Sequence, residues 1–225
     1  MPIPLQVGLG LWMAGVIAAA FLYLPPAKGF TSPEWARMIV FHVPCAILAV
    51  IAYLVSSVYA MGLLAGGKPI SDAKSAISAG LGFLFTAFAT VTGMVFARTQ
   101  WGSAWNWDPR ETSILMLLLV YAAYFALRGA IPAVATRARI SAAYNLLACV
   151  VMPYLVFILP RVMGGLHPSG TLTSRGGLSA EYRIVLAAGT IGFIWLYVWL
   201  FRARTRIAER RLACDEAECA PRREE

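Results

Sequence analysis

The sequence is poor in charged residues and in side chains that react or bind metals. Asp, Glu, Lys and Arg make up 13% of its 225 residues and hydrophobic residues make up 60%, whereas an ordinary soluble domain is about one quarter charged. This shortage of charge excludes a soluble globular domain of ordinary composition and indicates a polytopic membrane protein. The chain also has only two histidines and four cysteines, so few residues can carry metal or redox chemistry.

The four cysteines do not form a recognisable motif. Cys45 and Cys149 lie in apolar stretches, where we expect them to pack as small apolar residues. The gap between Cys214 and Cys219 is not that of a standard zinc pair. Since Cys-x-x-Cys-His is absent, thioether attachment of a haem is excluded. No basic residue precedes Lys28, so we expect the first apolar stretch to be retained rather than cleaved as a signal peptide.

Six apolar stretches are long enough to cross a bilayer. A helix needs roughly 20 apolar residues for this, because in lipid each backbone polar group must be bonded within its own segment. The sequence therefore predicts an all-α fold, a polytopic membrane protein with six transmembrane helices. The predicted spans lie near 7–24, 38–64, 75–97, 112–131, 140–160 and 184–201, in a domain of residues 1–201 followed by a basic tail, 202–225.

Basic residues predict the orientation of the spans, because they remain on the cytoplasmic side of a membrane. The tail carries seven arginines and is predicted to be cytoplasmic, as is the N-terminus: Arg202, Arg204, Arg206, Arg210, Arg211, Arg222 and Arg223. The net charge of +8 is explained by such a tail beside anionic lipid, and no nucleic-acid partner is predicted. Arg128, at the end of the fourth span, is expected to snorkel to the surface.

Three of the seven tryptophans lie within residues 101–111, between two apolar runs. Indoles combine a large flat face with a polar edge, which suits a flat amphipathic ligand such as a tetrapyrrole. Tryptophans also collect in belts at membrane interfaces, which explains those elsewhere in the chain. A belt does not require Trp101, Trp105 and Trp107 to be so close together, so this segment favours a ligand platform.

The two histidines, His42 and His167, are predicted to lie on the same outer side as the tryptophan segment. Ionisable residues inside a membrane are candidates for function, although a packed histidine at 42 and a solvated loop histidine at 167 are the alternatives. Pro44 is expected to bend the helix or loosen its outer turn near His42. Neutral imidazole is a common axial ligand of haem iron, so the two histidines are candidate metal ligands.

Asp108, Pro109 and Glu111 match the pattern of a helix start, with the acidic side chains at the N-cap and N3 positions and proline at N1. Such a cap would open the fourth span. Capping does not exclude a second role, since the position of the helix start also determines the position of the tryptophans before it. Both roles of Asp108 remain open from the sequence.

Taken together, these segments resemble a known family. The tryptophan segment resembles the tryptophan-rich signature of the haem-handling proteins of cytochrome c biogenesis, through the residues Trp101-Gly102-x-x-Trp105-x-Trp107-Asp108-x-Arg110. The flanking segments Phe41-His42-Val43-Pro44 and Leu166-His167-Pro168 resemble the two histidine segments of the six-span group, haem-handling protein C. The segment from Asp108 to Thr112 is also similar to the corresponding segment of the larger haem-export and synthetase proteins of cytochrome c biogenesis system II.

The resemblance implies that the protein binds haem b non-covalently at the outer face of the inner membrane and delivers it to an extracytoplasmic haem chaperone, without being an enzyme. His42 and His167 would be the axial ligands, and the haem-binding residues would be Trp101, Gly102, Trp105, Trp107, Asp108 and Arg110. An ABC-type transporter pair and a small single-span subunit are the further partners implied. A cytochrome b-type electron-transfer subunit and a permease subunit without haem are the alternatives.

Overall fold

The computed structural model of the protein describes residues 2–167 and 177–219. Within them, six helices are long and apolar enough to cross a membrane, which confirms the predicted six-span fold. Pro168, Arg175, Arg222 and Arg223 lie outside the described residues.

The spans are α1 (Ile3–Ala18) with a π-helical turn (Ala19–Tyr23); a 3-10 turn (Pro33–Met38) with α2 (Ile39–Leu64); α3 (Ile70–Trp101); α4 (Pro109–Ala130); α5 (Val134–Pro153), a π-helical turn (Tyr154–Ile158) and α6 (Leu159–Val162); and α7 (Ala180–Cys219).

Several helices continue beyond the apolar stretches that predict them. The largest extension is in α7, which runs through the arginine-rich segment to Cys219, so most of the predicted tail is helical. Arginine is a good helix former, and apolarity marks only the part of a helix that lies in lipid. Lys74 of α3 lies 4.0 Å from the Glu209 carboxylate and joins this extension to the bundle.

The centre of the bundle contains stacked aromatic rings and hydrogen-bonded polar groups. The Tyr53 ring of α2 stacks on Tyr121 of α4 with centroids 3.6 Å apart, and the Tyr53 hydroxyl lies 2.9 Å from Thr86 Oγ1 of α3. At Gly82 a Cβ atom would overlap the Tyr53 ring, so this glycine permits the close approach of α2 and α3. Asn145 of α5 donates to Ser56 Oγ at 2.7 Å, which joins a further helix to the core.

Arg128 does not snorkel to the surface as expected. Its guanidinium donates to both carboxylate oxygens of Asp72, at 2.6 and 2.9 Å, and both side chains are only 15% exposed. A two-pronged contact of this kind is the strongest geometry for an arginine and a carboxylate. Because Asp72 lies on α3, only the packing of α3 against α4 makes this partner available to Arg128.

Pro44 lies inside a continuous α2, and the turn before this helix is 3-10. Proline leaves the carbonyl of Val40 without its helical N–H partner. At that point α7 approaches closely, since a Cβ atom on Gly189 would lie 3.0 Å from the Val40 oxygen. The interrupted turn therefore occurs where α7 packs against α2.

The succession of antiparallel spans gathers three connections at one end of the bundle. We call this end, formed by residues 24–38, 99–110, 160–167 and 177–180, the aromatic end. Gln100 donates to the Ser32 carbonyl at 2.9 Å, and the Tyr182 hydroxyl donates to the Pro25 carbonyl at 2.9 Å. These contacts join the first connection to α3 and α7. The predicted site residues lie at this end or in the first turns of the helices below it.

Candidate functional site

The tryptophan segment begins where α3 ends. Trp101 is the last residue of α3, and Gly102 follows in the left-handed conformation with φ of 81°, which is a common way to end a helix. Arg98 donates to the Gly102 carbonyl at 2.7 Å, and the Ser103 hydroxyl donates to the Trp105 carbonyl at 2.9 Å. Local hydrogen bonds therefore stabilise the chain between α3 and α4.

Asp108 and Glu111 form the predicted capping box at the start of α4. The Asp108 carboxylate accepts from the Arg110 backbone N–H at 2.8 Å, and Glu111 accepts from the backbone N–H groups of Asn106 and Asp108 at 2.6 and 3.3 Å. Two acidic side chains thus bind the free N–H groups of the helix start and of the tryptophan segment. The expectation that Asp108 caps the fourth span is confirmed.

Asp108 also binds the loop that carries His167. Its Oδ2 accepts from the Leu166 backbone N–H at 2.6 Å, and its Oδ1 lies 3.2 Å from His167 Nδ1. The Asp108 side chain is completely buried. At Gly165 a Cβ atom would overlap the Asp108 carboxylate, so glycine is required for this approach. Asp108 therefore caps a helix and positions a histidine at the same time.

The electrostatic surroundings define the protonation of this pair. Burial raises the pKa of Asp108, but the hydrogen bonds from the Arg110 and Leu166 backbone and the interaction with His167 together lower it by more, so the group is an ionised carboxylate at neutral pH. An ionised carboxylate only accepts hydrogen bonds, so His167 donates to it from Nδ1. Burial lowers the pKa of His167, and the nearby Arg110 charge adds to this effect against the opposing effect of Asp108. His167 is therefore a neutral imidazole with Nε2 available.

His42 lies in the first turns of α2 and faces α3. Its Nδ1 lies 3.1 Å from the Thr92 hydroxyl. Gly93 provides room for the ring, since a Cβ atom there would lie 3.2 Å from His42 Cε1. His42 is thus partly buried between α2 and α3.

The two histidines line the same two cavities. Their volumes are about 150 and 180 Å³, and both cavities are bordered by His42, Gly93, Arg110 and His167. The first extends towards apolar residues of α4 and of the π-helical turn Tyr154–Ile158, and the second towards the connection before α2. Their further lining includes Trp105, Ile114, Leu155, Phe30, Ile39 and Phe96. The fold thus brings together residues from four separate segments around these two cavities.

Arg110 lines both cavities. Across the described parts of the chain its guanidinium has no hydrogen bond or ion pair with protein groups, although its backbone N–H binds Asp108. A partly buried cation without a partner at a cavity favours an anionic ligand. Arg110 is thus available to bind a carboxylate of an incoming molecule.

The three tryptophans occupy different surroundings. Trp105 lines the first cavity, whereas Trp101 contacts His167 edge-on with ring centroids 5.0 Å apart. Trp107 is 71% exposed, has a positive φ of 55°, and meets Trp105 at 90° with centroids 5.8 Å apart. The indoles therefore do not form one flat surface: Trp105 borders the first cavity, Trp101 contacts His167, and Trp107 is exposed.

Three further residues contact the predicted site residues but were not predicted from the sequence: Thr92, Gly93 and Gly165. Thr92 and Gly93 interrupt an apolar helix with a polar and a small residue, but nothing in the sequence connects them to His42. The adjacent glycines at 164 and 165 were the only local signal that the chain approaches another group closely before His167.

Comparison with known proteins agrees with the resemblance noted in the sequence. The family model of heme exporter protein C matches residues 2–218. The heme exporter protein C of Bradyrhizobium diazoefficiens is 32% identical over 180 residues, 78% of this chain and 68% of that protein. The one from Paracoccus denitrificans is 31% identical over 195 residues, 82% of this chain and 81% of its own. A mitochondrial protein of Marchantia polymorpha, described as a ccmC-like protein of cytochrome c biosynthesis, is 31% identical over 117 residues, 52% of this chain and 51% of its own. The chain belongs to the heme exporter protein C family.

Proposed function

We propose that this protein binds haem b non-covalently at the aromatic end of its bundle and passes it to an extracytoplasmic haem chaperone. Membership of the family supports a role in haem handling for cytochrome c maturation by a multi-pass protein of the inner membrane. The observation that carries the proposal is that His42 and His167, far apart in sequence, line the same two cavities. Imidazole is a common axial ligand of haem iron, and here two imidazoles border the same cavities.

The residues around this space suit each part of a haem. His42 and His167 would bind the iron, and the apolar lining and Trp105 would contact the porphyrin. The Arg110 guanidinium, which has no partner among residues 2–167 and 177–219, would bind a propionate, since arginine matches carboxylates in charge and geometry. Each cavity is smaller than the roughly 300–1,000 Å³ typical of pockets for drug-sized ligands, so the ring would have to extend across both.

The arrangement also suits release of the haem. His167 belongs to a connection between helices, whereas His42 lies within α2. A ligand of the chaperone could replace His167 while His42 and Trp105 still hold the ring. The proposed role requires binding and transfer but no bond-making on the haem, so we assign a carrier rather than an enzyme. An ABC-type transporter pair and a small single-span subunit are the proposed membrane partners.

We place the aromatic end on the outer side of the membrane, because the opposite end carries the arginine-rich extension of α7. Cys214, which is exposed on that extension, provides a built-in probe. An impermeant thiol reagent should label Cys214 only after the membrane is opened, and should label a Thr31→Cys variant in intact cells. Labelling of position 31 only from the cytoplasm would contradict this orientation.

The binding proposal is tested by the absorption spectrum and haem content of the purified protein. We expect a Soret band in the wild type and a weakened or shifted band in His42→Gly and His167→Gly, with added imidazole restoring ligation. Incubation with apo-chaperone should transfer the haem. Absence of haem would favour the permease alternative, and a redox-active haem that does not exchange would favour a cytochrome b subunit.

A further inference from the structure

Thr92 contacts His42 through its hydroxyl oxygen, and the proton of that hydroxyl is donated in another hydrogen bond. Thr92 Oγ1 lies 2.7 Å from the Phe88 carbonyl oxygen and 3.1 Å from the Ala89 carbonyl oxygen, both on the preceding turn of α3. The same Oγ1 lies 3.1 Å from His42 Nδ1. One hydroxyl therefore has three neighbours and a single proton.

The distances determine where that proton lies. A separation of 2.7 Å between a hydroxyl and a carbonyl oxygen is the usual length of an O–H···O hydrogen bond, and without a proton between them the two sets of lone pairs would repel. The Thr92 hydroxyl thus donates to Phe88. A hydroxyl has one donor and two acceptor sites, so it can only accept from His42, and His42 Nδ1 must carry a proton.

We propose that Thr92 is a positioning residue that holds His42 in the Nδ1–H tautomer and leaves the lone pair of Nε2 for a ligand in the cavity. That this ligand is haem iron rests on the proposed function; the tautomer itself does not. Threonine suits the task because its Oγ1 can bond a carbonyl three or four residues back in a helix, which fixes its rotamer. Gly93 leaves the space that the oriented ring occupies.

The two histidines are then oriented in the same way by different partners. His167 donates from Nδ1 to the Asp108 carboxylate, and His42 donates from Nδ1 to a neutral hydroxyl on a helix. Partners that bind the second nitrogen of a metal-binding histidine fix its tautomer and orientation, and a carboxylate makes the ring a stronger donor than a neutral group does. Thr92 would thus fix the orientation of the His42 ring. It would increase the donor strength of that imidazole less than the Asp108 carboxylate increases that of His167.

The test is the tautomer of His42 in the haem-free protein, measured by ¹⁵N NMR with labelled histidine. Since the chain has only two histidines, a His167→Ala variant leaves His42 as the single signal. Nδ1 and Nε2 are distinguished by their couplings to the ring protons. We expect the proton on Nδ1, whereas an unconstrained imidazole side chain in water favours Nε2–H. A proton on Nε2 of His42 would overturn the inference.

Variants at position 92 connect the tautomer to the ligand. Thr92→Val keeps the shape and removes the hydroxyl acceptor, which leaves the Ala89 backbone as the remaining hydrogen-bond partner of the His42 ring. We expect a reduced Nδ1–H preference and haem binding weakened by about 10-fold or more. Thr92→Ser should behave like the wild type, as should Thr190→Val, which removes a similar hydroxyl-to-carbonyl bond within α7. A Thr92→Val protein that keeps the Nδ1–H tautomer would contradict the role of Thr92. If His42→Gly retains haem with an unchanged spectrum, the ligand assignment fails while the tautomer result stands.

Discussion

The Asp108 carboxylate links the first turn of α4 to His167. Its Oδ1 accepts from the Arg110 N–H at 2.8 Å and lies 3.2 Å from His167 Nδ1, and its Oδ2 accepts from the Leu166 N–H at 2.6 Å. Because the carboxylate is buried, the position of the histidine depends directly on the position of the helix start. One residue of the tryptophan-rich segment thus controls an element almost sixty residues further along the chain.

Substitutions at Asp108 should separate its two roles. Asparagine caps helices about as well as aspartate but has only one acceptor oxygen and no charge. With that oxygen at the Oδ1 position, Asp108→Asn should keep α4 intact, but its amide NH₂ would face the Leu166 N–H that Oδ2 now accepts. We therefore expect the His167 loop to shift and haem retention to weaken by about 10-fold or more. Asp108→Ala should in addition lower stability by about 0.5–2 kcal/mol through loss of the cap. Haem content and thermal unfolding in detergent measure the two effects. Equal haem retention in Asp108→Asn and the wild type would contradict the role in positioning His167.

A Gly165→Ala variant should disrupt the site without changing any polar group. The added Cβ atom would overlap the Asp108 carboxylate, so we expect the His167 loop to shift at a cost of about 1–3 kcal/mol, as for other overpacked positions. The expected result is reduced haem content and an altered Soret band. Gly10→Ala is the matched control, because nothing lies within 4 Å of its Cβ position. Equal haem content in both variants would indicate that the loop does not require this approach.

The tryptophans should differ in their effect on haem. Trp105→Ala should weaken haem binding roughly fivefold, because stacking of the indole contributes about 1 kcal/mol in addition to the burial of its apolar area. Trp105→Phe should retain part of this stacking energy. Trp107→Ala should have a smaller effect, because this indole is 71% exposed and lines neither histidine cavity. Trp195→Ala is the control, because this indole packs beside Gly8 and lines neither histidine cavity. Identical haem loss in the three alanine variants would indicate general destabilisation instead of a platform.

The Asp72–Arg128 pair should contribute to stability but not to haem binding. Removing one partner of a buried ion pair costs about 3–5 kcal/mol, so Asp72→Asn should lower the unfolding temperature in detergent clearly. Glu209→Gln is the matched control: Glu209 is 51% exposed and 4.0 Å from Lys74, so its loss should cost at most about 1 kcal/mol. Since the pair lies at the end of α4 opposite the aromatic end, haem content per folded protein should not change. A similar unfolding temperature for both variants would contradict the importance of the pair.

The sequence alone determined the all-α class, the number of spans and the segment in which the site begins. These follow from local physics: the length of an apolar run decides whether it crosses a bilayer, and the order Asp-Pro-x-Glu favours a helix start wherever it occurs. The resemblance carried by Trp101, His42 and His167 also predicted the family, which the comparisons confirm. The ends of the helices were less predictable, because a helix such as α7 continues beyond the lipid.

Only the tertiary structure decided which residues meet. Thr92 and His42, Asp108 and Gly165, and Asp72 and Arg128 lie on different segments, and no spacing in the sequence connects them. Their contacts depend on how each helix is rotated and how far it is shifted against its neighbour, which follows from the packing of side chains such as Tyr53 and Tyr121. Arg128 illustrates the difference: its own stretch of sequence favours snorkelling, but a carboxylate on the adjacent helix offers a better partner inside the bundle than the surface does.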